Sequence, residues 1–181
     1  MSKVILLSGS PNQEGNTMQI LRECARVIEE NGVEAEVISL AGMKIHDAMD
    51  FSSGADELDP IIEKIRNAQG LITAGPVYWG TVRAEMMTAL QRIAMASAQK
   101  GGFLSRMVGG PIAVARRGGS TAALQEMMMF YLSNDMIVPG STYWNIVFGQ
   151  APGEALKDEE GMNTIRRFGE NVAYLVSSLN H

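Results

Sequence analysis

At 181 residues the chain is long enough for one domain with a substantial core, and we expect residues 1–181 to form a single unit. Apolar residues make up 46% and charged residues 19%, as in ordinary globular proteins, and a net charge of −5 opposes non-specific nucleic-acid binding, which needs a basic face. One cysteine, Cys24, excludes an intramolecular disulfide and a cysteine-built metal or iron–sulfur site, so a reducing cytoplasm is the expected location.

Met1-Ser2-Lys3 leads directly into a strand-like run, "KVILLSG", and neither a signal peptide nor a membrane span is expected. From Thr17, the residues Ile20, Leu21, Cys24, Val27 and Ile28 form one helical face, which Asn31-Gly32 stops. Cys24 reads there as a small buried hydrophobe. "VEAEVISL" is a second strand. Asp59-Pro60 then opens a helix carrying Ile61, Ile62 and Ile65, with proline at the favoured first position. "GLITAGPVYWG" is a third strand running into an aromatic loop, followed by a helix with Met86, Met87, Leu90 and Ile93.

"MVGGPIAVA" is a fourth strand, and Ser120 is expected to cap the next helix, which holds Leu124, Met127 and Met128. "MIVPGSTYW" is a weaker fifth strand, because Pro139 and Gly140 interrupt it, and a closing helix runs from about Asp158 to Leu179. Five strands, each followed by a helix, predict a parallel α/β sheet covered on both faces. Two segments, Ala41–Leu58 and Trp144–Lys157, read as loops with a part to play in function, and the first has no clear period.

In such a sheet, ligands sit beyond the carboxyl ends of the strands, beside helix N-termini. Gly9 to Thr17, "GSPNQEGNT", is the first corner of this kind. It offers free backbone N–H groups, the positive end of a helix dipole and the neutral donors Ser10, Asn12, Asn16 and Thr17. A nucleoside-triphosphate loop is excluded, because Asn16 stands where that motif has its lysine; Ser10-Pro11 after Gly9 excludes the dinucleotide fingerprint. Two readings of the residues stay open: a cradle for one terminal phosphate, or a plain strand–helix turn with Asn16 as its cap.

This stretch resembles the G-S-P-R-x-x-G-N-T loop of the NAD(P)H-dependent FMN reductase family. "GPVYWGTVRAEMMTALQR" is similar to that family's S-P-x-Y-x-x-x-x-x-x-L-K-x-x-x-D-R segment. The likeness extends to about Tyr143. It implies a flavodoxin-like three-layer α/β/α sandwich with a five-stranded parallel sheet. It also implies FMN as cofactor, NADPH or NADH as hydride donor, and a small acceptor such as a quinone or free flavin. No catalytic side chain is expected, because the cofactor carries the chemistry.

By position, the resemblance places Ser10, Asn12, Asn16, Thr17 and Met18 around the FMN phosphate. Asn12 replaces the family's usual arginine and makes the site less cationic. Pro76, Val77, Tyr78, Trp79 and Gly80 would run along the isoalloxazine; the aromatic pair read alone also suits a sheet edge or a subunit interface. The glycine-rich turn Arg116, Arg117, Gly118, Gly119 would meet the flavin pyrimidine. Either arginine would then stabilise negative charge there, meet the extra phosphate of NADPH, or stay solvated.

The family also includes iron–sulfur flavoproteins, whose cysteine motif follows the second strand, but Ala41 to Pro60 holds no cysteine. His46, Asp47, Asp50, Asp56, Glu57 and Asp59 match neither a calcium loop nor a zinc site, and a solvated acidic loop is expected. His46 and His181 read as incidental, and Ser52 and Ser53 only as loop residues. Met86, Met87, Met95, Met107 and Met127 to Met129 suggest core packing with an adaptable helix face. The resemblance implies a homodimer or homotetramer, which such a face would suit, and no nucleic-acid or membrane partner is expected. The competing readings are a flavodoxin-like FMN electron carrier without its own NAD(P)H oxidation, and a non-redox binder of another phosphorylated ligand. The chain lacks the carrier's phosphate loop, T/S-x-T-G-x-T.

Overall fold

The computed structural model describes residues 2–50 and 54–179; Ser52, Ser53 and His181, named above, lie outside the described residues. The strands are β1 (Lys3–Ser8), β2 (Glu34–Ser39), β3 (Gly70–Tyr78), β4 (Thr81–Val82), β5 (Val108–Ala115) and β6 (Ile146–Phe148). The helices are α1 (Asn16–Glu30), α2 (Asp59–Arg66), α3 (Ala84–Gln99), α4 (Ser120–Ser133) and α5 (Glu159–Leu179), with one 3-10 turn at Ala155–Lys157.

Five parallel strands lie in the order β2-β1-β3-β5-β6, and β4 pairs antiparallel with the end of β3. Alternation along β1 sorts its side chains between two cores. Ile5 and Leu7 pack with residues of α2, α3 and α4, whereas Val4 and Leu6 pack with residues of α1 and α5. These are the three layers of a flavodoxin-like sandwich, and each fully buried Leu or Ile contributes roughly 1.5–3 kcal/mol. One polar pair crosses the first core: the hydroxyls of Thr73 and Tyr131 lie 2.9 Å apart, and burial pushes the Tyr131 phenol well above its usual pKa. The chain leaves β1 to one side for β2 and returns to the other for β3, so the topological switch lies at the carboxyl ends of β1 and β3.

Three sequence expectations need correction. The fifth strand is not at 136–144 but at Ile146–Phe148. Pro139 has no N–H and Gly140 no side chain to pack. Only Ile137 of the expected segment bridges to β5, opposite Val108. The chain then bows out and re-pairs at Ile146 opposite Ala113. The two-residue β4 was not anticipated. Ser120 does not cap α4: Gly119, at φ +85°, occupies the cap position and Ser120 is the first helical residue, without a capping bond from its side chain.

Candidate functional site

The β1–α1 loop is wired internally before it can meet a ligand. Ser8 Oγ accepts from the Ser10 N–H at 3.3 Å, Ser10 Oγ from Asn12 N–H at 3.1 Å, and Asn12 Oδ1 from Glu14 N–H at 3.0 Å. Gln19 N–H makes the first bond of the helix, to Gly15 O at 3.1 Å. The N–H groups of Asn16, Thr17 and Met18 precede it and stay uncommitted at the positive end of the helix dipole. Glu14, the loop's carboxylate, is held by both terminal nitrogens of Arg22, at 2.8 and 2.9 Å. That pairing keeps Glu14 below the usual carboxylate range and neutralises the charge that would oppose an anion.

Asn16 does not cap α1; Gly15 holds the cap position. The Asn16 amide reaches across to the segment after β6 instead. Its Nδ2 donates to Ala151 O at 3.0 Å, while Oδ1 accepts from the N–H groups of Gly153 (2.9 Å) and Ala155 (3.3 Å). Glu154 closes the same segment by accepting from the N–H groups of Gln150 and Ala151.

The opposite wall is a tight hairpin in which Val77 pairs with Val82 and Tyr78 with Thr81. Trp79 (φ +54°) and Gly80 (φ +87°) make its two-residue turn, both left-handed, as a type I′ turn requires. A tryptophan there costs on the order of 1–2 kcal/mol relative to glycine. The turn holds the indole fully exposed at the mouth of the site. Glu126 of α4 clamps the hairpin, accepting from Thr81 Oγ1 at 2.5 Å and Val82 N–H at 3.3 Å. Gly119 packs beneath it: a Cβ there would stand 2.7 Å from Gly80 Cα.

These walls enclose a cleft of about 440 Å³ at the topological switch. Ser10, Asn12, Asn16, Thr17, Pro76, Val77, Tyr78, Trp79 and Arg116 line it, so the structure brings together most of the residues predicted for the site. Met18, Gly80, Arg117, Gly118 and Gly119 are not among the lining residues. Met18 buries its side chain and can offer only its backbone N–H, and Gly80 and Gly119 act on loop spacing. Sequence reasoning named Gly15 only as part of the first loop and Gly149, Gln150 and Pro152 only within the long loop Trp144–Lys157, and it missed Val114. The misplaced fifth strand kept the three loop residues from being assigned to the cleft, since Gly149 to Pro152 follow the true carboxyl end of β6. Chemically, the cleft offers amide donors for an anion at one end and a flat aromatic wall at the other, with a cationic side chain beside it.

The loop after β2 is only in part the solvated acidic loop expected: Asp47, Asp50 and Glu57 are exposed, but Asp56 is not. Asp56 has only 2% of its side chain exposed and pairs with Arg92 at 2.5 Å; Arg92 also reaches Asp59 at 3.1 Å. Burial alone would raise the Asp56 pKa, but bonds from His46 N–H, Arg92 and Leu58 N–H outweigh it and hold the group low.

Residues 2–151 match the family described as NADPH-dependent FMN reductase. The chain belongs to that family. An iron–sulfur flavoprotein of Methanocaldococcus jannaschii is 35% identical, with 96% of this chain and 97% of that protein covered. An iron–sulfur flavoprotein of Archaeoglobus fulgidus is 28% identical over 97% and 98%. Among solved structures, RosB with a bound 8-demethyl-8-formylriboflavin-5'-phosphate superposes with TM-score 0.81 at 18% identity, covering 99% of this chain and 80% of RosB. An archaeal flavodoxin gives 0.67 at 15% identity, over 97% and 99%. Membership of the FMN reductase family makes the protein an FMN-dependent oxidoreductase.

A cluster of the kind named in those relatives does not fit this chain. Such clusters take several thiolates, and the one cysteine, Cys24, is fully buried in α1 with its thiol pushed up to about 12 by burial and by the charge of Glu23. Among the described residues no group of three or more His, Cys, Asp or Glu side chains is placed to hold a metal ion.

Proposed function

We propose that this FMN reductase family member oxidises NADPH or NADH and passes the electrons to a small acceptor such as a quinone or free flavin. The observation that carries the reading is the convergence, in one cleft, of uncommitted anion donors at the start of α1 with the aromatic Tyr78–Trp79 hairpin and Arg116. FMN, when bound, supplies hydride acceptance from the nicotinamide and release of two electrons to the acceptor. The N–H groups of Asn16, Thr17 and Met18, with the hydroxyls of Ser10 and Thr17, would hold its phosphate. Asn16 would keep the far wall closed over that phosphate, and Tyr78 and Trp79 would cover the ring system.

Arg116 has no ion pair or hydrogen bond among the described residues, which leaves its charge available to the cleft. We further propose a homo-oligomer that uses α4, where Met129 and Leu132 are more than half exposed beside a groove shared with Met87 of α3. No described helix is long and apolar enough to cross a membrane, and a cytoplasmic setting is part of the proposal.

The test is anaerobic stopped flow on FMN-loaded protein mixed with NADPH or NADH. Rapid bleaching of the flavin absorbance is expected, and the faster nucleotide identifies the donor. Bound flavin that neither nucleotide bleaches would instead identify an electron carrier.

A further inference from the structure

The bow between Ile137 and Ile146 builds a second cavity at the edge of the sheet. The segment is pinned at several points: Asn145 Nδ2 donates to Pro111 O at 3.2 Å, Ala113 N–H donates to Asn145 O at 2.9 Å, and Ser141 Oγ donates to Tyr143 O at 2.5 Å. Held in this way, Tyr143 and Trp144 stack on each other, with ring centroids 4.9 Å apart and planes 37° apart. Both rings are more than half exposed, and Phe148 beside them is 43% exposed.

Together with Ser120, Thr121 and Glu160 these rings line a cavity of about 290 Å³, distinct from the cleft. Three large aromatic side chains facing water around one hollow suit a flat, apolar ring. The carboxylate of Glu160, exposed at the first turn of α5, is an acceptor suited to an exocyclic amine.

The two cavities flank the same pair of strand ends. Gly149 N–H donates to Ala115 O at 2.9 Å. Arg116 and Gly149 line the cleft, whereas Ser120 and Phe148 line the aromatic cavity. Between them lies the loop bearing Arg116 and Arg117, both exposed and neither with a charge partner or hydrogen bond among the described residues. A ligand that spans the strand ends would thus meet Arg116 in the cleft, then the loop that also carries the exposed Arg117, then a stacking surface.

We propose that the Tyr143–Trp144–Phe148 cavity is the subsite for the adenine end of the nicotinamide dinucleotide, with Arg116 and Arg117 meeting its pyrophosphate. This rests on the protein being an NAD(P)H oxidant. The aromatic rings stack the base, Glu160 accepts from its amino group, and the arginines bridge the polar middle to the cleft.

The test pairs calorimetry with kinetics on the FMN-loaded protein. AMP, titrated calorimetrically, is expected to bind the wild type and to bind Trp144→Ala on the order of tenfold more weakly, as for loss of one base–aromatic stack. Trp144→Phe, which keeps a stacking face, retains most of the affinity. In flavin reduction, Trp144→Ala raises the KM for NAD(P)H by a similar factor and leaves reduction by reduced nicotinamide mononucleotide, which lacks the adenosine, unchanged.

The proposal is overturned if AMP does not bind or binds Trp144→Ala equally well. It is also overturned if the variant slows both donors alike, or if a quinone rather than AMP titrates into the cavity. Should neither donor bleach the flavin, the oxidant reading fails, while AMP calorimetry still reads the cavity by itself.

Discussion

The loop after β1 and the loop after β2 are both polar, and they use their polar groups in opposite ways. The first pairs Ser8, Ser10 and Asn12 with its own backbone N–H groups and leaves those of Asn16, Thr17 and Met18 uncommitted. The second commits two of its carboxylates to the fold: Asp56 and Asp59 hold Arg92 and the backbone of their own loop. A polar loop marks a ligand site when its donors remain unpaired at a cleft, not merely because it is polar and carries glycine. By that criterion the β2–α2 loop is a structural brace, in a chain without the cysteines to make it anything like a cluster site.

The brace is expected to show the largest effect. Arg92→Ala leaves the nearly buried Asp56 carboxylate without its cation and should cost roughly 3 kcal/mol in urea unfolding. FMN affinity of the folded protein should be unchanged, and a loss of affinity as large as the loss of stability would break the contrast. The Asp56 pKa is lower in the folded protein than in the unfolded chain. Its contribution is therefore complete above the ordinary carboxylate pKa of about 3.9 and disappears as pH falls through the lower folded value. Stability should drop on acidification below about pH 4, less steeply in Arg92→Ala.

Next comes Asn16→Ala, which breaks the three bonds to the 151–155 segment. A loss of about 1–2 kcal/mol of stability is expected, together with FMN binding weakened by at least about tenfold. Weakened stability with intact affinity would make Asn16 a brace like Arg92. Gly119→Ala should cost upward of about 1 kcal/mol, from a left-handed φ and the approach to Gly80. It should also alter the visible circular dichroism of bound flavin, because the hairpin is displaced. Smallest of all is the response of Cys24: with its thiol pushed up to about 12 by burial and the Glu23 charge, it should stay unmodified by thiol reagents at pH 8 in the folded protein. Stoichiometric labelling there would contradict its placement.

Local patterns made much of this legible in the sequence. Consecutive buried residues in β1 and the apolar stripe of α1 ending at Asn31-Gly32 (Gly32 at φ +81°) appear as expected, and Pro60 lies in the first turn of α2 one position later than expected, after Asp59. Three features were not legible because they depend on contacts between distant segments. The fifth strand pairs where β5 offers partners, not where its own residues are most strand-like. The Asn16 amide is engaged by a segment more than 130 residues away, a contact that no local capping rule reveals. Asp56 is buried by an arginine on α3, although its neighbours in sequence describe a solvated loop. The Trp79-Gly80 hairpin was concealed differently, because tryptophan is a poor residue for the left-handed turn it occupies.

The central claim is that the start of α1 holds the phosphate of FMN. Calorimetric titration of the flavin-free protein with FMN and, separately, with riboflavin, which has the same ring system and no phosphate, tests it most directly. Several charge-assisted bonds to backbone donors predict that FMN binds on the order of a hundredfold more tightly. Equal affinities would show that the loop from Gly9 to Thr17 does not bind the phosphate, and would contradict the account.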